Sequence, residues 1–308
     1  MRIMIAGPTA SGKTSLSVEL AARIDGEIIS VDSRQCYRLL DIGTAKPGKT
    51  EMEMVRHHNI SVLDLHESDS VALFNDREKK YREGIQNRGK KVIYCGGSTL
   101  HLQSIIRPLD EIPPSNPEQI AELNRLANQK GLQFLFDELN KIDPVYAKKM
   151  DGYNRQRIIR ALDVWKQTGK PFSSFHEGSS FEKPDDLMVF IIFHPRKQLH
   201  QRISDRTDQM FENGFLDEVR SILEKGYSPQ LQSLQTVGYK EAISYLQGEI
   251  EYDQMVKDIK TATRRYAKRQ ITWFRRWPFT QQLNAEDKTT KELLNELLMK
   301  VAADTQNH

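Results

Sequence analysis

Lys13 and Thr14 close the segment "GPTASGKT" (residues 7 to 14), whose spacing fits G-x-x-x-x-G-K-[ST]. That spacing suits the holding of a phosphate chain. The expected cradle is Gly7, Pro8, Thr9, Ala10, Ser11, Gly12, Lys13 and Thr14. The N–H groups of residues 9 to 14 are expected to converge on phosphate oxygens at a helix N-terminus, and Lys13 adds a point charge. The Thr14 hydroxyl is the expected ligand of Mg²⁺, and loops of this kind hold nucleotides such as ATP. A mere glycine turn would need neither Lys13 nor Thr14. Asp32 is the second chemical feature, placed at the end of the apolar run "EIISVD" and followed at once by Ser33, Arg34 and Gln35. Position alone permits a helix-capping aspartate. An enzyme whose phosphates are held by the loop still needs a base for the incoming nucleophile, and Asp32 is the candidate.

The next strand, "KVIYCGG", ends in Gly96 and Gly97, where many phosphate-loop hydrolases place a magnesium-binding aspartate. That weighs against a plain nucleotide hydrolase and leaves open a transferase whose loop holds a leaving group. Residues 261 to 277, "TATRRYAKRQITWFRRW", carry six Arg or Lys, no acid and four aromatics. Such bias is a common footprint of nucleic-acid binding. The plainer reading makes Tyr266, Trp273 and Trp277 core and the arginines solvated. Six cations without acids repel one another unless a polyanion or nearby carboxylates offset them.

These residues need elements to position them. "RIMIAG", "EIISVD" and "KVIYCGG" read as buried strands, with Leu16, Leu20 and Ile24 at helical spacing between the first two. This is a βαβ unit and predicts a parallel sheet, with Asp32 and the loop at its carboxyl edge. After the proline cluster at 107 to 119 the pattern is helical, with Ile120, Leu123 and Leu126 on one helix and Ile158, Leu162 and Trp165 on another. A second Pro/Gly cluster (168 to 186) precedes the strand "LMVFIIFHP". The fold class expected is therefore α/β, a P-loop NTPase-like parallel sheet (1–112 and 187–308) with an inserted all-helical domain (113–186). The last long helix is expected to place Ile259, Ala262, Tyr266, Trp273 and Trp277 along one side.

Composition agrees with a globular chain: 308 residues, 38% hydrophobic, 28% charged, net charge +3. No apolar run approaches the roughly 20 residues that span a bilayer, so no membrane partner is expected and the cytoplasm is the default location. Cys36 and Cys95 lack CxxC spacing and read as packing cysteines; adjacent His57 and His58 cannot jointly bind a metal.

"GPTASGKT", "IISVDSRQCYRLLDIGTAKP", "CGGSTLHL", "RQRIIRALDVWKQTG", "VGYKEAISYLQGE" and "TRRYAKRQITWF", in this order, resemble the tRNA dimethylallyltransferases, and the likeness runs from residue 2 to about 277. The resemblance implies transfer of a dimethylallyl group from dimethylallyl diphosphate to the exocyclic N6 amino group of the adenosine 3′ of the tRNA anticodon. Diphosphate would be released and the loop would cradle it, with Mg²⁺ as cofactor. Asp32 matches the family's general base, Arg206 in "QRISDRTDQM" the arginine that stabilises the leaving group (Arg202 being the substitute), and Ser98 the family's substrate-contacting threonine. By the same resemblance tRNA is met by Asp32, Ser33, Arg34, Gln35 and Ser98. It is also met by Gln156, Arg157, Ile158, Ile159 and Arg160 of the inserted domain, and by Gln235, Thr236, Val237, Gly238, Tyr239 and Lys240. The chain departs from the pattern at Ser98, at His101 in place of Tyr, and at Ile120 in place of an arginine, for which Arg125 is the possible stand-in. A monomer is expected. A small-molecule kinase with ATP in the loop and a noncatalytic RNA-binding protein are the rivals; the missing aspartate and the basic helix weigh against the first.

Overall fold

The computed structural model describes residues 1–107, 112–150, 152–176 and 183–306, so parts of both expected Pro/Gly linkers lie outside the described residues. The chain divides into two compact units, Met1–Ile106 with Lys183–His308, and Arg107–Glu182.

The first unit is built on six strands: β1 (Arg2–Ala6), β2 (Gly26–Val31), β3 (His57–His58), β4 (Lys91–Gly96), β5 (Leu187–Phe193) and β6 (Gln281–Asn284). They form one sheet in the order β3-β2-β4-β1-β5-β6, with every pairing parallel. Near-continuous apolar runs such as Ile3–Ala6 and Leu187–Ile192 are buried throughout, as strands covered on both faces must be. β1 lies between β4 and β5, so the chain does return after the second unit to extend the same sheet. β3 and β6 were not expected. Both are edge strands too short and too polar to carry a periodic signal.

Along the first half run α1 (Lys13–Arg23), α2 (Lys49–Met54), α3 (Val71–Asn87) and α4 (Thr99–Ile106). The second unit is all helical: α5 (Pro117–Lys130), α6 (Leu132–Ile142), α7 (Pro144–Lys148) and α8 (Arg155–Thr168), with a 3₁₀ turn at Phe172–His176. Asn116 and Asn154 cap α5 and α8 by accepting backbone N–H bonds. Its core joins Leu123, Leu135, Leu139, Ile158 and Leu162, with Ile120 packed at the edge; Trp165 is exposed rather than core.

The first unit resumes with α9 (Arg196–Glu212), α10 (Phe215–Glu224), α11 (Tyr239–Leu246), α12 (Tyr252–Phe274) and α13 (Thr290–Gln306). One sheet face packs Ile3, Ile5, Ile93 and Phe190 against Leu16 and Leu20 of α1 and Leu297 of α13. A satellite core ties Tyr37 and Leu40 to Phe215, Tyr239 and Ile259. The buried side of α12 is Met255, Ile259, Ala267, Gln270 and Phe274, not the expected Ala262–Tyr266–Trp273 stripe. Tyr266 and Trp273 are half-buried, and Trp277 is buried beyond the helix end. The rotation has a functional consequence, because it turns Tyr266 toward a cavity. Among the described residues no helix is long and apolar enough to cross a membrane.

Candidate active site

The loop after β1 is shaped by glycines that admit no side chain. A Cβ on Gly7 would lie 2.8 Å from Ser11 Oγ and 3.2 Å from the Ile192 carbonyl. Gly12 has φ +85° and begins α1 without a side-chain cap, so the first-turn N–H groups stay available to an anion. The outer wall of the loop is held from four sides. Arg202 Nε donates to the Ala10 carbonyl at 2.8 Å, and Arg206 Nη1 donates to Thr9 Oγ1 at 2.8 Å. His194 Nε2 sits 3.0 Å from the Ser11 carbonyl, a contact that requires that nitrogen to carry a proton. The Thr9 N–H donates to Gln270 Oε1 at 2.9 Å. That last bond, with the Ser11 N–H donating to the Pro8 carbonyl at 3.3 Å, corrects the expectation for residues 9 to 14, since both amides are taken by the protein.

Asp32 follows β2 directly. Its Oδ1 accepts the N–H groups of Arg34 (2.8 Å) and Gln35 (3.2 Å), but a turn follows and no helix, so that oxygen pins the turn and is not a helix cap. Oδ2 has no hydrogen-bond partner among the described residues. Gln35 is spent on the scaffold: it accepts from Ser30 and donates to the carbonyls of Thr44 and Ala45. The segment Asp41–Thr44 is gripped by Glu218 of α10, whose carboxylate accepts N–H bonds from Asp41, Ile42 and Gly43 and the Tyr239 hydroxyl at 2.6 Å. Any Cβ on Gly43 would meet Phe215 at 2.5 Å and Tyr239 at 2.6 Å.

Two cavities open on either side of Asp32. One, of about 740 Å³, runs along the phosphate loop and includes Lys13, Thr14, Gly97 and Arg202. The other, of about 340 Å³, is lined by Arg34, Ile203, Met210, Ile259, Arg269 and the turn Gln235–Lys240. Thr9, Asp32, Thr44, Arg206 and Tyr266 belong to both. The Arg269 guanidinium lies 5.7 Å over the Tyr266 ring.

Burial lowers the pKa of Lys13 and of Arg206, in the latter against the opposing pull of Asp32. Neither forms an ion pair among the described residues. Two desolvated, unpaired cations beside uncapped helix amides call for a multiply charged anion. Burial, with Asp32 close by, pushes the Tyr266 phenol above its ordinary value. For a cation, Thr14 lines the loop cavity with the carboxylates Asp32, Glu51 and Asp205, while no cluster of three His, Cys, Asp or Glu side chains exists among the described residues. That donor set fits Mg²⁺ held by one hydroxyl, water and phosphate oxygens, not by a protein cage.

The sequence pattern of the IPP transferase family matches residues 35–277. The tRNA dimethylallyltransferase of Salinibacter ruber is 40% identical, covering 92% of this chain and 90% of that protein; the one of Caldanaerobacter subterraneus subsp. tengcongensis is 38% identical over 98% and 97%. The crystal structure of the tRNA isopentenylpyrophosphate transferase of Bacillus halodurans superposes with TM-score 0.73 at 37% identity, covering 99% of this chain and 96% of that one. A eukaryotic dimethylallyltransferase acting on tRNA superposes with TM-score 0.78 at 28% identity, over 93% and 74%. The chain belongs to the IPP transferase family.

Within this IPP transferase, the structure gathers Gly7 to Thr14, Asp32 to Gln35, Arg206 and Gln235 to Lys240 around the paired cavities. Ser98 is not brought there, and part of the set expected on the second unit is core within that unit. The Ser98 hydroxyl is 2.8 Å from the His101 side-chain Nδ1, just before α4, and Ser98 lines neither cavity. Ile158 and Ile159, at 0% and 5% exposure, are core residues of the second unit and offer no surface to RNA. Arg160 is held by Asp163 and the Pro113 carbonyl, which leaves Gln156 and Arg157 as the exposed members of that set. Tyr239 is likewise buried and acts through Glu218, while Gly238, at φ +95°, starts α11 in a conformation that favours glycine. Gln270, His194 and Glu218 escaped the sequence reading. Gln270 stood in plain view inside "AKRQITWF", as a polar residue at the buried spacing of α12.

Proposed function

We propose that this chain transfers a dimethylallyl group from dimethylallyl diphosphate to the N6 amino group of the adenosine 3′ of the anticodon in tRNA, releasing diphosphate. The observation that carries this reading is Asp32 on the wall shared by two cavities, with an anion cradle on one side and Arg34, Tyr266 and Arg269 on the other. In this reading the diphosphate lies along the loop and the prenyl carbon points past Asp32. The unstacked adenine enters from the smaller cavity, where aromatic and guanidinium planes suit a base.

The N6 lone pair forms the new C–N bond as the C–O bond to diphosphate breaks, and the electron pair of that bond leaves with the diphosphate. An adenine amino group is a weak nucleophile, because its lone pair is delocalised into the ring. Asp32 Oδ2 accepts the N6 proton, while the two amide bonds on Oδ1 hold the carboxylate in place. Charge growing on the leaving oxygens is met by Lys13, Arg206 and the first-turn amides of α1. Mg²⁺ on Thr14 would supply further neutralisation of the diphosphate. Ile203, Met210 and Ile259 line the smaller cavity with apolar surface suited to a five-carbon chain that reaches past Asp32.

The test incubates the protein with unmodified tRNA, Mg²⁺ and labelled dimethylallyl diphosphate, with ATP in a parallel tube. Label appears in tRNA on this reading. Turnover of ATP without label transfer overturns it.

A further inference from the structure

Gln270 lies on α12 at 3% exposure, 261 residues from the phosphate loop in sequence, yet its side-chain amide joins the loop to the end of β4. Oε1 accepts the Thr9 N–H at 2.9 Å, and Nε2 donates to the Gly97 carbonyl at 2.7 Å. The two partners fix the amide's orientation, since an N–H needs the oxygen and a carbonyl needs the nitrogen. The approach depends on the glycine: a Cβ on Gly97 would lie 2.5 Å from Gln270 Nε2 and 3.1 Å from the Gly7 carbonyl. Thr9 in turn carries Arg206 on its hydroxyl at 2.8 Å. A continuous chain of bonds therefore runs from Gly97 through Gln270 and Thr9 to the guanidinium that faces both cavities.

We propose that Gln270 is a positioning residue for the transfer step: by fixing the Thr9 peptide it aims Arg206 at the departing diphosphate. The proposal rests on the prenyl-transfer reading and assigns Gln270 no contact with substrate. Burial strengthens the case. A fully enclosed amide with both ends bonded is a rigid link, and each bond it makes is one the loop would otherwise have to seek from water or ligand. α12 also presents Tyr266 and Arg269 to the base-side cavity, so one helix registers both substrates against the loop.

The experiment compares Gln270→Ala, Gln270→Glu and Gln270→Met in the full chain with Mg²⁺. Glu retains an acceptor for Thr9 and turns its other oxygen against the Gly97 carbonyl; Met fills the space and bonds neither. We expect the single-turnover transfer rate at saturating substrates to fall roughly 10- to 100-fold in all three, the effect of a small misplacement in a preorganised site. Affinity for tRNA at matched salt should stay within about twofold, because a merely structural lesion in α12 would weaken it along with the rate. In an Arg206→Ala background, Gln270→Ala should slow transfer by less than about threefold, since both act through one group. Multiplicative losses in the double variant, unchanged rates, or a loss confined to tRNA affinity would each overturn the proposal. Calorimetric binding of inorganic diphosphate to the wild type and to Gln270→Met gives a readout independent of transfer. Roughly tenfold weaker binding is expected in Gln270→Met, and equal binding counts against Gln270. If the wild type transfers no label, the functional reading fails while this binding comparison still judges Gln270.

Discussion

Replacing Asp32 by Asn separates the two oxygens of one carboxylate. Oδ1 accepts the N–H groups of Arg34 and Gln35, and an asparagine carbonyl oxygen can keep both bonds. Oδ2, which has no partner among the described residues, becomes an NH₂ group that cannot take a proton from N6. The fold should therefore hardly notice, with the melting temperature within about 2 °C of wild type, while the base is lost. General-base catalysis contributes about 10²- to 10⁴-fold, equivalent to roughly 3–5.5 kcal/mol of barrier. Affinity for diphosphate should be retained or rise a few-fold, because the substitution removes a negative charge from the wall shared with Lys13 and Arg206. The assay is single-turnover transfer of labelled dimethylallyl groups to tRNA at saturating donor, alongside equilibrium binding of inorganic diphosphate. A variant that transfers within tenfold of wild type, or one that loses rate and diphosphate affinity in parallel, refutes the assignment of Asp32 as base.

Lys13→Ala removes a desolvated point charge from the loop and should lower the donor-dependent rate by about 10²- to 10³-fold with tRNA affinity unchanged; equal losses in both would join sites that the structure holds apart. Glu218→Gln turns one of the two acceptor oxygens into an NH₂ that faces two of the four donors, with about two charge-assisted bonds lost, and should destabilise by about 2–4 kcal/mol and lower the melting temperature by about 5–10 °C. A shift under 2 °C in a thermal melt would remove Glu218 as the clasp of the Asp41–Thr44 segment. Glu27, bonded by Arg88 and then His58, has its carboxyl pulled down from 4.5 to about 2. Its contribution is present above pH 4.5 and fades as pH falls toward 2, so Glu27→Gln should flatten the acid limb of a stability–pH curve by about 3 kcal/mol at most. The six cations of residues 261 to 277 form no ion pairs among the described residues, so tRNA affinity should fall steeply between 50 and 200 mM salt, roughly tenfold or more; a flat response would discharge them from RNA binding.

The parallel core was legible because its strands are long enough and apolar enough to announce themselves, and because Gly7, Gly12, Lys13 and Thr14 have one recurrent use. Asp32 was legible from the strand that ends just before it. What stayed hidden was set by contacts between distant segments. Nothing local in "DIGTAKP" says that three of its amides converge on Glu218 almost 180 residues later, and nothing in the spacing of α12 separates a core tyrosine from one facing a cavity. Ile158 and Ile159 show the converse: a motif carried across by family likeness includes residues whose job is to fill the second unit's core, and only burial tells them from Gln156 and Arg157.

The missing aspartate after β4 also acquires a physical reason. A Cβ on Gly96 would lie 2.0 Å from the Val31 carbonyl, and one on Gly97 would strike the Gln270 amide at 2.5 Å. No side chain, acidic or otherwise, fits where a phosphate hydrolase carries its metal-binding carboxylate. The carboxylate stands instead one strand over, since Val31 pairs with Gly96 and Asp32 is the first residue past β2. That displacement moves the negative charge from the phosphate-holding floor to the wall facing the second cavity. A carboxylate on that shared wall is well placed to take a proton from a nucleophile arriving at the far end of the donor. The glycine pair and Asp32 are thus two sides of one change, and it points the loop toward holding a phosphate that leaves.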